Sequence, residues 1–153
     1  MIINYSPNFN LKKRDKNKIK YLIYHYTGMK NDKSAIKKLT SLNSNVSCHY
    51  YITSSGKLIQ MVPDLYIAWH AGKSNWKNRR SLNRNSIGIC YCGGVESDGK
   101  TPKDTRTEEQ KQGLLHVLKT LKAMYPAATI YSHNEFANKA CPSFDATNEY
   151  KDL

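Results

Sequence analysis

Apolar and polar positions change period several times along this 153-residue chain, and each change marks an element. Residues 1–19 are polar and carry the basic cluster Lys12, Lys13, Arg14, Lys16 and Lys18, which predicts a loosely held arm ahead of a folded domain over 20–153. Tyr21 to Thr27 is a run of aromatic and aliphatic side chains around His25, and predicts a buried strand that delivers this histidine at its C-terminal end. Asp32 is placed to cap a helix on which Ala35, Ile36, Leu39 and Leu42 recur on one face. Two short runs, Tyr50 to Thr53 and Lys57 to Val62, flank Ser54-Ser55-Gly56 and predict a hairpin. Ser86 to Cys92 predicts a further sheet segment closed by Gly93-Gly94, while residues 96–106 contain Gly99 and Pro102, lack an apolar period and predict a surface loop. Thr107-Glu108-Glu109-Gln110 has the pattern of a capping box, and Leu114, Val117, Leu118, Leu121 and Tyr125 mark the buried face of the helix that follows and stops before Pro126. Thr129 to His133 returns as a strand. This order predicts a single α/β domain with a mixed central sheet flanked by helices, a frame in which two distant strand ends can meet.

Composition narrows the class. The length suits one core of ordinary size, and a monomer is expected. Lys and Arg total 24 against 12 Asp and Glu, a formal charge of +12 that suits approach to polyanions such as cell-wall polymers, membrane surfaces or nucleic acid. The basic residues come without a recognition motif, so no specific nucleic-acid partner is expected. No run approaches membrane-spanning length, and the first residues lack the charged start and apolar core of a signal peptide. The four cysteines, Cys48, Cys90, Cys92 and Cys141, do not form a disulfide framework and fit synthesis in a reducing compartment.

The chemistry concentrates in His25 and in the stretch Ser132-His133-Asn134-Glu135-Phe136-Ala137-Asn138-Lys139-Ala140-Cys141-Pro142. Two imidazoles and a thiolate, His25, His133 and Cys141, make a three-donor zinc set that leaves a fourth position for water, as catalytic zinc sites do. Zinc so bound lowers the pKa of that water to about 7 and polarises carbonyl oxygens. Lys139, two residues before the thiolate, can stabilise an oxyanion. Each histidine taken alone is as well explained by packing.

Lys139-Ala140-Cys141-Pro142-Ser143-Phe144-Asp145, preceded by His133, resembles the C-terminal zinc motif of the zinc-dependent N-acetylmuramoyl-L-alanine amidases, a family of phage endolysins, muropeptide-recycling amidases and peptidoglycan recognition proteins. Further blocks occur in the family's order: Ile23-Tyr24-His25-Tyr26-Thr27, Val46-Ser47-Cys48-His49-Tyr50, Ala68-Trp69-His70-Ala71-Gly72, Asn85-Ser86-Ile87-Gly88-Ile89 and Gly93-Gly94. The resemblance implies one Zn2+ per chain on His25, His133 and Cys141, with Lys139 catalytic. It also implies a substrate cleft lined by Trp69 and His70, with Trp76 on a basic rim running from Lys73 to Arg84. The partner is then peptidoglycan or a muropeptide.

One departure stands out. Phage lysozyme-type members place a tyrosine where this chain has Cys48, and recycling-type members a glutamate where it has Cys90, so both cysteines are candidates for the catalytic base position. Tyr24, Tyr26 and Tyr50 are possible substitutes for the missing phenol. The resemblance implies cleavage of the amide between N-acetylmuramic acid and L-alanine by a phage-type endolysin that reaches the wall after holin-type release. The alternatives are a cytoplasmic muropeptide-recycling amidase and a non-catalytic peptidoglycan-binding protein.

Overall fold

The apolar run at residues 21–26 becomes the strand on which the sheet is centred. In the computed structural model, which describes residues 1–72 and 82–153, the strands are β1 (Ile2–Ile3), β2 (Phe9–Asn10), β3 (Tyr21–Tyr26), β4 (Tyr50–Ile52), β5 (Leu58–Gln60), β6 (Ile67–Ala68), β7 (Ser86–Tyr91) and β8 (Thr129–Ser132). The helices are α1 (Asp32–Thr40), α2 (Glu108–Met124) and α3 (Ala146–Glu149). Six strands form one mixed sheet in the order β1-β5-β4-β7-β3-β8, and β2 pairs with β6 in a separate antiparallel ladder. Strands β4, β7, β3 and β8 run parallel, so their C-terminal ends share one edge of the domain. The predicted hairpin is present as β4 and β5, with Tyr51 opposite Ile59.

Pleating decides what each face carries. On one face Leu22 and Tyr24 of β3 and Ile87, Ile89 and Tyr91 of β7 pack against Leu114, Val117, Leu118 and Leu121 of α2. Full burial of each such aliphatic side chain contributes roughly 1.5–3 kcal/mol. On the other face Tyr51, Ile59 and Cys90 meet Ala35 and Leu39 of α1. His25 alternates with Tyr24 and Tyr26 and so lies on the side away from α2.

The α2 capping box is complete: the Gln110 N–H donates to Thr107 Oγ1 at 3.1 Å and the Thr107 N–H to Gln110 Oε1 at 3.0 Å. At α1 the expectation is off by one residue. Asn31 is the cap, accepting from the Ser34 N–H at 2.9 Å, while Asp32 accepts from the Tyr51 hydroxyl and from Ser54. The helix ends at Thr40, which leaves Leu42 outside the stripe and exposed.

The N-terminal stretch is held far more closely than its composition suggests. Strand β1 pairs with β5 and β2 with β6, and Asn8 donates to the carbonyls of Ser41 and Val46. Arg14, placed by its basic neighbours in a loosely held arm, is only 8% exposed. Its guanidinium donates to the carbonyls of Asp64, Asn83, Arg84 and Ser86 at 2.7–3.3 Å, a fork geometry that a run of backbone acceptors satisfies without a carboxylate contact. Arg14→Leu strips these buried carbonyls of their donor, at about 1–3 kcal/mol for each that stays unsatisfied. We expect the unfolding free energy in urea to fall by about 2–4 kcal/mol, and an unchanged midpoint would mean that the guanidinium is not the joint between the N-terminal stretch and the sheet.

Candidate functional site

His25 sits one residue from the end of β3, and His133 immediately follows its neighbour β8, so parallel pairing carries both imidazoles to the same sheet edge. Their ring centroids are 4.5 Å apart. Cys141 arrives from the loop after β8, whose Asn134 N–H donates to the Cys141 carbonyl at 2.8 Å. The Tyr26 N–H points at Cys141 Sγ from 3.3 Å, and Sγ lies 3.8 Å from His25 Nδ1. The donor atoms of His25, His133 and Cys141 all fall within 4.8 Å of one another, and the three residues are buried. Metal–nitrogen and metal–sulfur bonds of about 2.0–2.1 and 2.3 Å at a tetrahedral angle span about 3.6 Å, close to the Sγ to Nδ1 separation. The donor set and spacing thus fit a zinc-sized ion.

These residues form the floor of a cleft of about 290 Å³, whose walls include Cys48, Trp69, His70, Cys90 and Lys139. Trp76 and the basic rim from Lys73 to Ser81 lie outside the described residues. Trp69 is fixed at its edge, where the indole N–H donates to Asn10 Oδ1 at 2.6 Å, so the N-terminal stretch helps to build the wall. Lys139 is exposed at the rim. His70 is half-buried in the cleft wall, with Nδ1 2.8 Å from His25 Nε2 and Nε2 3.0 Å from Ser86 Oγ. With both nitrogens engaged inside the protein, it offers no ring nitrogen to a substrate. His49 is buried and structural: the Gly88 N–H donates to its Nδ1, and its Nε2 lies 2.9 Å from the Tyr66 carbonyl.

The two cysteines at the base position are neighbours. Cys90 stands opposite His25 in the β3–β7 register and is hydrogen-bonded to Cys48. That hydrogen bond, followed by burial, holds the Cys90 thiol well above its ordinary range. Of the candidate tyrosines, Tyr24 and Tyr50 have their hydroxyls engaged away from the cleft, whereas Tyr26 is among the residues that line it. The hydroxyl of Tyr24 donates to the Leu114 carbonyl and that of Tyr50 to Asp64, both on the α2 side. Tyr51 projects to the correct face, but its hydroxyl is taken by Asp32.

Burial shifts the imidazoles the opposite way. His25 is lowered well below the ordinary range by burial and then by the charges of His133 and Lys139, and His70 by burial and the surrounding histidines. Burial also pushes the Cys141 thiol up, so in the absence of a metal it is protonated. Coordination would remove that proton.

A mixed sheet with a His-His-Cys donor cluster at its parallel strand ends, opening on a cleft, defines an α/β domain with a candidate metal site. The chain belongs to the N-acetylmuramoyl-L-alanine amidase family, whose model matches residues 15–144. The endolysin of Escherichia phage T7 is 36% identical over 66% of this chain and 61% of its own length, so the chain spans less than two thirds of that relative. The crystal structure of a selenomethionine AmpD derivative superposes with a TM-score of 0.76 at 26% identity, covering 97% of this chain and 92% of that one. The amidase AmiD from E. coli, in complex with the substrate anhydro-N-acetylmuramic acid-L-Ala-D-gamma-Glu-L-Lys, gives 0.68 at 28% identity over 83% of this chain and 52% of that one.

Sequence reasoning gave no role to Ser86 and Gly88. Both lie in Asn85-Ser86-Ile87-Gly88-Ile89, and their position in a block beside the family's motifs was the available signal.

Two outcomes follow from these pKa shifts. His49 has its pKa lowered from 6.5 to about 3 by burial and then by Arg14. Above pH 6.5 neither state protonates it. Below that, the unfolded chain binds a proton that the folded one refuses, so stability falls as pH drops from about 6.5 toward about 3, by up to about 1.4 kcal/mol per unit for each such histidine. Urea unfolding of metal-free protein at pH 7.5 and 5.5 measures this, and His49→Gln should flatten the slope; equal stability at the two pH values would show that the imidazoles protonate without unfolding. Separately, Cys90 should resist iodoacetamide at pH 7.5 until the protein is unfolded, because the thiolate is the reactive form. Rapid labelling of folded Cys90, mapped by mass spectrometry, would contradict the raised thiol.

Proposed function

We propose that the protein is a zinc-dependent N-acetylmuramoyl-L-alanine amidase that cleaves the amide between the lactyl group of N-acetylmuramic acid and L-alanine, acting on the cell wall in the manner of a phage endolysin. The observation that carries this reading is the meeting of His25, His133 and Cys141 on the floor of a cleft whose rim bears Lys139. His25, His133 and Cys141 would hold a zinc ion, which would supply an acidified water and a Lewis acid for the scissile carbonyl. The chain's own groups do the rest. Lys139 brings an ammonium to the side of the cleft where negative charge develops on the carbonyl oxygen. Trp69, fixed by Asn10, offers a flat wall for sugar or peptide. Cys90, with its proton firmly held, does not serve as a base.

Charge supports a wall substrate. Lys12, Lys13, Lys18 and Arg84 line a second cavity of about 480 Å³ alongside β2, a basic surface suited to anionic wall polymers. Among the described residues no helix is long and apolar enough to cross a membrane. A recycling-type amidase is the second reading, favoured by the near full-length superposition on AmpD.

Purified peptidoglycan and a soluble anhydromuropeptide separate the two. An endolysin clears the turbidity of the first, a recycling enzyme cleaves only the second, and in either case a chelator abolishes activity and Zn2+ restores it. Product with a free L-alanine amino group identifies the bond by mass spectrometry. Cys141→Ala should lose the metal, and Lys139→Ala should keep it while turnover falls roughly 10²- to 10³-fold. Chelator-insensitive activity, or full turnover without Lys139, would refute these roles.

A further inference from the structure

The hydrogen bonds around His25 form a chain with only one consistent direction. Ser86 Oγ lies 2.7 Å from the Leu82 carbonyl, which can only accept, so the single hydroxyl proton of Ser86 goes there. His70 Nε2, 3.0 Å from Ser86 Oγ, must therefore be the donor of that contact. A neutral imidazole with its proton on Nε2 has a lone pair on Nδ1, and His70 Nδ1 accepts from His25 Nε2 at 2.8 Å. His25 is thereby left with a bare Nδ1, the atom that faces Cys141 Sγ. The next residue in the chain does the same for the other imidazole, since the Ala71 carbonyl, 3.1 Å from His133 Nε2, takes its proton and leaves Nδ1 free.

The loop that performs both tasks is itself anchored. Asn83 Oδ1 accepts from the backbone N–H groups of His70 and Ala71 at 3.2 and 2.8 Å. Below the ring of His70 the sheet has been cleared: a Cβ on Gly88 would stand 2.4 Å from His70 Cγ. A side chain of any size at this point of β7 would lift the imidazole away from His25.

We propose that His70 is a positioning residue rather than a substrate contact. In this proposal the relay Leu82–Ser86–His70 sets the tautomer and ring orientation of His25, while Ala71 does so for His133, so that both Nδ1 atoms are presented to the metal. The role in metal capture rests on the zinc reading above; the tautomers do not. An outer partner of this kind typically contributes 10- to 100-fold in metal affinity.

The first test needs no metal. Two-bond 1H–15N correlation spectra of metal-free protein carrying 15N-histidine should show His25, His70 and His133 as Nε2–H tautomers. Nδ1–H on His25 would overturn the relay. The second test is Zn2+ affinity by competition with a chromogenic chelator. His70→Phe, which has no acceptor, should bind Zn2+ roughly 10- to 100-fold more weakly than wild type. His70→Asn, whose amide oxygen can accept near the Nδ1 position, should recover most of that loss. Should the Phe variant fail to fold, Ser86→Ala decides: freed of its directing hydroxyl, His70 should populate both tautomers in the same spectra, and a His70 that stays wholly Nε2–H refutes the relay. Equal Zn2+ affinity in wild type and a folded His70→Phe refutes the role in metal capture. Wild type that binds no Zn2+ at all overturns the zinc reading and that role, and leaves the tautomer result to stand on its own.

Discussion

Parallel pairing of β3 with β7 on one side and β8 on the other is the constraint on which the rest depends. It aligns strand C-termini along one edge, and the pleat then assigns Tyr24 and Tyr26 to the α2 core and His25 to the opposite face. A slip of one residue would exchange the two sets and bury His25 under α2. The register is protected by the size of the apolar set it buries, since Leu22, Tyr24, Ile87, Ile89 and Tyr91 would all have to leave the α2 interface together. The donor cluster is thus specified by the same burial that folds the domain.

Around that frame the polar interior is arranged so that each group has a defined partner. Arg14 is neutralised by no direct carboxylate contact; it is satisfied by carbonyls, and the nearby Asp64 carboxylate is occupied by the hydroxyls of Tyr50 and Tyr125. Buried polar networks of this kind rigidify when complete and cost heavily when a member is lost. The cation beneath the histidines also disfavours their protonation, because Arg14 contributes to the lowered pKa of both His49 and His70. Burial and charge therefore act together to keep the imidazole cluster neutral.

Much of this was legible in the sequence. Long periodic segments such as Leu114 to Leu121 and the run through His25 became α2 and β3, because burial on a face of that size overrides local competition. The meeting of His25, His133 and Cys141 was legible only through resemblance, since nothing local links residues more than a hundred positions apart. Two-residue strands such as β1, β2 and β6 have no period to detect, and a basic cluster gives no sign that one of its members, Arg14, will be enclosed. The helix cap moved from Asp32 to Asn31 because Tyr51 and Ser54, remote in sequence, compete for the aspartate. The same limit hid the engagement of both His70 nitrogens.

The sheet terminates in very short edges. Strand β1 pairs through only two residues, and β8, at the other side, through four before the chain turns away and α3 covers it. An edge strand is a template for another chain only where enough free backbone donors and acceptors lie in a row. Here the rows are too brief to seed intermolecular ladders, and the surplus of positive charge makes like copies repel. The architecture that brings the ends of β3 and β8 together at one cluster therefore also leaves the sheet, among the described residues, with little free backbone on which a second chain could build a ladder.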